Sequence, residues 1–194
     1  MATPGDRRRQ VRQLVLDAAR ARANDALTLK SEDCNKELFA PFSPSPVAVI
    51  DAVWAKIEGA QLSLTSNDLL VDLGCGDGRW LVSGVKRFNC SAFGVELDEN
   101  LVKRAKDQVH REGLEHKIKV EVGDVMQTDI SNAKVVIVYA FAESLSGIAE
   151  MLKTQLKEDT NVLSIGFRVP GWKPLWSERE GGLRWYFYRM SDCT

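Results

Sequence analysis

Cysteine and histidine are scarce in this 194-residue sequence, which contains four cysteines and two histidines. No two cysteines form a Cys-x-x-Cys pair, and neither histidine lies near a cysteine. Because a zinc site needs clustered thiolate and imidazole ligands, we predict that the protein binds no metal. The pattern also favours a reducing intracellular compartment, where disulfides do not persist.

Long apolar runs are absent too. The longest, VVIVYAFA at residues 135–142, is far shorter than the ~20 residues that an α-helix needs to cross a bilayer. No apolar signal-peptide core lies near the N-terminus, so we expect a cytoplasmic protein without a membrane segment. Residues 1–22 contain six arginines and two aspartates, and this Arg-rich start leaves a mitochondrial location as the alternative.

Neither sign of charge is in large excess. The formal net charge is −1, which argues against nucleic acid or an anionic membrane as a partner of the whole surface.

Apolar side chains recur at helical spacing in residues 7–23, and we predict an N-terminal helical extension over residues 1–40. Residues 41–194 are long enough for one domain with its own core.

Apolar strands and helical segments alternate through that domain. Five strands are predicted, at residues 69–74, 91–98, 118–124, 133–140 and 161–167. Helical segments between them imply parallel pairing with right-handed crossovers. The chain then ends with a short segment at 175–179, a Gly181-Gly182 turn and the strand LRWYFYRM, which together predict an antiparallel hairpin. We therefore predict an α/β, Rossmann-like fold: a mostly parallel twisted sheet, helices on both faces and a C-terminal antiparallel hairpin, as in class I methyltransferases.

A proline-rich segment, APFSPSP at residues 40–46, precedes the first predicted helix of the domain. Ser45 is expected to cap that helix, and Pro46 suits its first position. Four apolar side chains at helical spacing are expected to be buried: Val47, Ile50, Trp54 and Ile57.

A glycine-rich loop follows the first strand, within VDLGCGDGRW at residues 71–80. Such loops usually hold pyrophosphate. Here Asp77 lies inside the loop and Asp72 before it, and a desolvated carboxylate beside phosphate costs on the order of several kcal/mol. S-adenosylmethionine has no phosphate and carries an ammonium and a sulfonium, so we predict this cofactor in place of NAD or ATP. The loop backbone is expected to approach it through Gly74, Cys75, Gly76 and Gly78.

Two further acids follow the next two strands. Glu96, with Leu97 beside it, ends the second strand and can accept both ribose hydroxyls. Asp124 ends the third strand and can accept from the adenine amino group, while Val125 offers its backbone N–H. The alternative, that both acids only cap helices and turns, is disfavoured by their register at successive strand ends, where open parallel sheets bind ligands.

Several segments resemble a family of small lysine methyltransferases: PFSPSP, VDLGCGDGRW, FGVELDENLV, GDVMQTDIS and SIGFRVPGW. That family includes archaeal broad-specificity protein lysine methyltransferases and mitochondrial enzymes that modify the ATP synthase c subunit and the adenine nucleotide translocase. The resemblance covers about residues 41–190. It implies methyl transfer to lysines of a protein substrate by in-line displacement, with Phe42 and Ser43 closing over the cofactor. The sequence departs from the family's pattern in three ways. It has phenylalanine at position 42 where the family usually has tyrosine, it matches only loosely over residues 139–144, and it lacks the membrane segment of the mitochondrial members.

A lysine acceptor must first lose its proton, since with a pKa of about 10.4 only roughly one in a thousand is neutral near pH 7.4. Apolar and aromatic walls and a nearby sulfonium disfavour the ammonium, so no strong base is needed. Four aromatic residues are candidates for such a channel: Phe42, Tyr139, Phe141 and Trp172. For Trp172, core packing is an equal alternative. Glu143 is a candidate to orient the ammonium, or else a first-turn acid of a helix.

Other acceptors fit less well. VYAFAES, after the fourth strand, lacks the Asn/Asp-Pro-Pro-aromatic motif of adenine amino methylation. No cysteine lies there to serve as the nucleophile for cytosine C5. Two alternatives stay open: a methyltransferase of the same fold that acts on RNA or a metabolite, and a non-catalytic S-adenosylmethionine-binding module that works through its basic N-terminal helix.

Overall fold

A computed structural model of the chain describes residues 42–140 and 142–193. The predicted N-terminal helix, Phe141 and the side chain of Glu143 lie outside the described residues. The chain divides into two compact units, Met1–Ser43 and Pro44–Thr194. Every described helix and strand belongs to the second unit.

A seven-stranded sheet forms the centre of this unit, in the order β3-β2-β1-β4-β5-β7-β6. Its strands are β1 Leu69–Leu73, β2 Ser91–Glu96, β3 Ile118–Val122, β4 Val135–Val138, β5 Asn161–Ile165, β6 Trp176–Glu180 and β7 Leu183–Arg189. The first five run parallel, and β7 pairs antiparallel with both β5 and β6. The predicted architecture, including the hairpin at one edge, is confirmed.

Four α-helices are described: α1 Val47–Gly59, α2 Arg79–Phe88, α3 Glu99–Arg111 and α4 Ala142–Gln155. Side chains of α1, α2 and α3 share one apolar cluster with alternate strand residues, among them Leu70 and Ile137. The intervening residues, such as Val136 and Val138, are buried as well. Because successive strand residues point to opposite faces, both faces of the sheet are covered.

The start of α1 differs from the prediction. Pro46, not Ser45, occupies the N-cap position, and no side chain caps the helix. The Ser45 hydroxyl instead accepts a hydrogen bond from Trp80 Nε1 at 3.0 Å. This contact with a distant residue takes the place of the predicted bond to a backbone N–H of α1. Val47, predicted to be buried, is 66% exposed, since it lies at the edge of the buried stripe formed by Val49, Ile50, Val53, Trp54 and Ile57.

Candidate functional site

The predicted cofactor residues meet at the carboxyl ends of neighbouring strands. Asp72 lies near the end of β1, and Glu96 ends β2. Asp124 follows β3 after one glycine, and Tyr139 directly follows β4. Because β3, β2, β1 and β4 are adjacent and parallel, these residues lie along one edge of the sheet, the edge at which open parallel sheets bind ligands.

The glycine loop is tied to β2 through its backbone. The N–H groups of Gly74 and Cys75 both donate to the carbonyl of Val95, at 2.9 and 3.0 Å. Gly78 is the N-cap of α2 and has φ at 77°, and a Cβ there would lie 3.0 Å from the Cβ of Ala105. Only glycine combines that backbone angle with so close an approach to α3, so the predicted backbone bend is present.

Glu96 binds the tip of this loop. Its Oε2 accepts from the N–H of Gly76 at 3.0 Å, and its Oε1 accepts from Leu97 and Asp98 at 2.7 and 3.0 Å. A carboxylate offers about four lone-pair positions, so these three bonds leave room for a further donor. Glu96 therefore organises the loop, and its predicted contact with ribose stays a prediction.

Asp124 has a capping role as well. Its side chain accepts from the N–H of Met126 at 2.9 Å and caps a short 3₁₀ helix, Val125–Gln127. The capping interpretation of Glu96 and Asp124 thus holds locally for both, because each acid follows a strand at a turn whose N–H groups need acceptors. The contacts of Glu96, Asp124 and Val125 with a cofactor stay predictions, and the capping hydrogen bonds do not exclude them.

Asp72 is a buried carboxyl group with no compensating cation among the residues that the structure describes. It is 2% exposed, and its Oδ2 has no hydrogen-bond partner among the described residues. Burial, followed by the charges of Glu96 and Asp77, raises the pKa of Asp72 to about 8. A buried carboxylate with a free oxygen and acidic neighbours is suited to a positively charged ligand.

Asp77 differs from Asp72, although both were predicted to complement a cation. Arg79 donates from Nε to Asp77 Oδ1 at 2.9 Å and from Nη2 to Oδ2 at 2.5 Å. Burial alone would raise the pKa of Asp77, but the hydrogen bonds and charge of Arg79 lower it below its ordinary value. The charge of Asp77 is therefore already compensated by Arg79. Of the two acids predicted to complement a cation, only Asp72 lacks such a partner among the described residues.

Arg79 is a residue beside the glycine loop that the sequence-based prediction missed. The signal was the Asp-x-Arg spacing in GDGRW, which lets an arginine at the start of a helix reach back to an acid in the preceding loop.

Tyr139, which the sequence predicts to line the acceptor channel, directly follows β4. Its side chain is half-buried, and its ring lies against Gly166, just beyond the end of β5. Gly166 has φ at 85°, and a Cβ there would lie 3.3 Å from Tyr139 Cε2. The absence of a side chain at Gly166 thus makes room for the ring at the end of β4.

The other acceptor candidates stand differently. Trp172 is 2% exposed and packs edge-to-face on Tyr188 with ring centroids 5.5 Å apart, which favours the packing alternative. Phe42 is 41% exposed and, like Ser43, belongs to the Met1–Ser43 unit, so the predicted closure over the cofactor stays a prediction. Phe141 and the side chain of Glu143 are outside the described residues.

Metal-ligating clusters and membrane-spanning helices are both missing from the described part of the chain. Within residues 42–140 and 142–193, no group of three or more histidines, cysteines, aspartates or glutamates is placed to hold a metal ion. None of the described helices has the length and apolar character to cross a bilayer.

Comparison with known proteins gives one family. Residues 72–176 match the family model described as ANTKMT methyltransferase domain. The chain is 31% identical over 135 residues to a protein-lysine N-methyltransferase of Saccharolobus islandicus, covering 69% of this chain and 81% of that protein. It is 26% identical over 139 residues to the ATP synthase c-subunit lysine N-methyltransferase of Homo sapiens, covering 72% of this chain and 57% of that enzyme.

A solved structure is similar over nearly its whole length. It is an RNA methyltransferase from Salinibacter ruber in complex with S-adenosyl-L-homocysteine, with a TM-score of 0.70 and 29% identity. The match covers 76% of this chain and 94% of that one.

Proposed function

Because the chain belongs to the ANTKMT methyltransferase domain family, we propose that it transfers methyl groups from S-adenosylmethionine to lysine side chains of a protein substrate. The observation that carries the lysine acceptor is the similarity to the Saccharolobus islandicus protein-lysine N-methyltransferase, which extends over 81% of that protein.

S-adenosylmethionine is the cofactor of this methyltransferase family, and the residues at the sheet edge fit it. Asp72 offers a buried carboxylate oxygen that no described group uses. A Cβ at Gly74 would meet no atom within 4 Å, so the backbone there is open to a ligand. When bound, the cofactor supplies a methyl group on a sulfonium. Asp72 and Glu96 would hold its cationic and ribose parts, and Asp124 with Val125 its adenine.

The acceptor end needs a neutral amine in line with the methyl group. The half-buried ring of Tyr139 provides an aromatic wall there, and its hydroxyl can orient the nitrogen. Proximity and alignment supply most of the acceleration of a displacement of this kind. The lysine ammonium loses its proton to solvent, since an apolar wall and a neighbouring positive charge both lower its pKa.

RNA is the second candidate acceptor, because the Salinibacter ruber structure is an RNA methyltransferase with 29% identity. Against it stand the net charge of −1 and the sequence Tyr139-Ala140 in place of a proline-containing motif after β4. Lysine is the acceptor that agrees with both observations.

Labelled transfer tests this proposal. Purified chain is incubated with methyl-labelled S-adenosylmethionine and cell extract, and the extract is then treated with nuclease or protease. Label that survives nuclease and maps to methyllysine by mass spectrometry supports the proposal. Label that nuclease removes, or that appears in small molecules, favours the alternative acceptors. The Asp72→Asn variant is the control, and at a limiting concentration of S-adenosylmethionine it should add much less label than the parent.

A further inference from the structure

We propose that Arg79 is a positioning residue that holds the cofactor loop against the segment leading into α1, and thereby sets the affinity for S-adenosylmethionine. The proposal depends on the cofactor and not on which acceptor is methylated, so it stands even if the acceptor is not lysine.

One guanidinium joins two distant parts of the chain. Two of its nitrogens, Nε and Nη2, pair with the carboxylate of Asp77 in the loop. The third, Nη1, donates to the backbone carbonyl of Ser45 at 2.8 Å. The planar fork of arginine allows all three bonds at once, whereas a lysine ammonium is a single point charge that cannot keep this geometry.

The next residue of α2 makes a parallel connection. Trp80 Nε1 donates to the Ser45 hydroxyl at 3.0 Å, and both side chains are buried. The carbonyl of the following Pro46 accepts from the N–H of Val49 at 3.0 Å, which forms the first turn of α1. The start of α1 is therefore fixed to the first turn of α2 through Ser45.

The glycine loop that Arg79 holds contains two residues of high conformational freedom. Asp77 lies between Gly76 and Gly78, whose φ angles are 54° and 77°. Glycines lose much backbone entropy when they are held in one conformation. If the loop is ordered before the cofactor binds, this entropic cost does not reduce the binding affinity. Without Arg79, Asp77 would also lose its cationic partner at a position close to Asp72 and Glu96, where the negative charges of Glu96 and Asp77 already raise the pKa of Asp72.

The chain offers a matched control in Arg87. It lies on α2 and pairs with Glu58 of α1 at 2.6 Å, so it also connects these two helices. The side chains of Arg79 and Arg87 are similarly exposed, at 29% and 31%. Arg87 differs in lying at the end of α2 away from the glycine loop.

The experiment compares Arg79→Lys with Arg87→Lys. Calorimetry measures the affinities for S-adenosylmethionine and S-adenosylhomocysteine, and thermal unfolding measures the stability of the unliganded variants. We expect Arg79→Lys to bind both ligands about tenfold more weakly, and Arg87→Lys to stay within about twofold of the parent. The two unliganded variants should unfold at similar temperatures. Equal affinities for the two variants would overturn the proposal, as would a loss of affinity that only follows a loss of stability.

Hydrogen exchange gives a readout that a merely structural role would not change. Binding of S-adenosylhomocysteine should slow amide exchange in the first turn of α1, around Val49, in the parent and in Arg87→Lys but not in Arg79→Lys. Should Arg79→Lys fail to fold, Asp77→Asn weakens the same ion pair and leaves the bond to Ser45. It too should bind S-adenosylmethionine less tightly, and unchanged binding would refute the coupling.

Discussion

The backbone N–H of Gly76 donates to Oε2 of Glu96 at 3.0 Å, across 20 residues of sequence. This bond joins the tip of the glycine loop to the end of the neighbouring strand. Glu96 also accepts from Leu97 and Asp98, so one carboxylate shapes both the loop and the turn after β2. The chain's own hydrogen bonds therefore hold the loop and the turn in place at the cofactor edge, and these bonds determine how substitutions there act.

Substitution of Glu96 by glutamine should affect folding and binding together. Glutamine keeps the shape but has one acceptor oxygen, so at least one of three backbone N–H groups loses its partner. An unpaired buried donor costs about 1–3 kcal/mol, and we expect a lower unfolding temperature with weaker binding of S-adenosylmethionine. Asp98→Ala is the control, since Asp98 only caps α3. That variant should lose about 1 kcal/mol of stability and keep its affinity. Parallel losses of affinity in both variants would contradict the role of Glu96.

Asp72→Asn should bind S-adenosylmethionine at least about tenfold more weakly, which corresponds to ~1.4 kcal/mol. The amide has nearly the same size but cannot ionise, so the variant lacks the negative charge that Asp72 gains when a cation binds. The unliganded variant should be at least as stable as the parent at neutral pH, because a buried ionisable group has been replaced by a neutral one. Calorimetry and thermal unfolding measure the two effects, and an unchanged affinity would contradict the assignment of Asp72.

The stability of the unliganded protein should depend on pH through Asp72. The folded state raises the pKa of Asp72 from 3.8 to about 8, so between these values the folded state holds a proton that the unfolded chain has lost. The free energy of unfolding should therefore decrease as pH rises from about 4 to about 8. Thermal unfolding across this range checks the sign. Asp72→Asn should flatten this dependence on pH. If the stability of the parent instead rises between pH 6 and 8, the predicted effect of Asp72 on stability is wrong.

Cofactor binding should release a proton from the same group. A bound cation favours the carboxylate, so the pKa of Asp72 falls on binding and a proton leaves when the pH is below about 8. Titration calorimetry near pH 7 in two buffers of different ionisation enthalpy measures the release directly. We expect a fraction of one proton for the parent and none for Asp72→Asn. Identical heats in both buffers would rule the linkage out.

Gly166→Ala should lower turnover more than cofactor affinity. The new methyl group would press on the ring of Tyr139 at 3.3 Å and also adopt a φ of 85°. Gly171→Ala is the matched control, because Gly171 has φ at 76° and a Cβ there would meet no atom within 4 Å. The two variants share the backbone strain of about 1–2 kcal/mol, and only the first disturbs Tyr139. Tyr139→Phe should likewise reduce turnover more than affinity. Equal turnover in the two alanine variants would contradict an acceptor wall at Tyr139.

Most of the fold could be predicted because the signals are local. Runs such as LLVDL and VVIV are apolar over the length of one strand, and the helices between them are long enough to require parallel pairing. The Gly181-Gly182 turn marked the hairpin in the same way. Strand ends were predicted too long, since residues such as Asp98 and Gly123 continue the pattern but belong to caps and turns.

The site was predictable in its location and less so in its contacts. Glu96 and Asp124 could be placed at strand ends from the sequence, but their bonds to backbone N–H groups depend on how each turn closes. The burial of Ser45 depends on Trp80, 35 residues away in sequence. The Asp-x-Arg spacing hinted at the pairing of Asp77 with Arg79, but the pairing also requires α2 to begin at Arg79, which the structure establishes.

The main claim is that the acidic sheet edge selects a cationic methyl donor. Calorimetric titration of the purified chain with S-adenosylmethionine, ATP and NADH under the same conditions tests it most directly. We expect S-adenosylmethionine to bind at one site and the two phosphate-containing ligands to give no measurable binding. ATP or NADH binding as tightly as S-adenosylmethionine would contradict the claim.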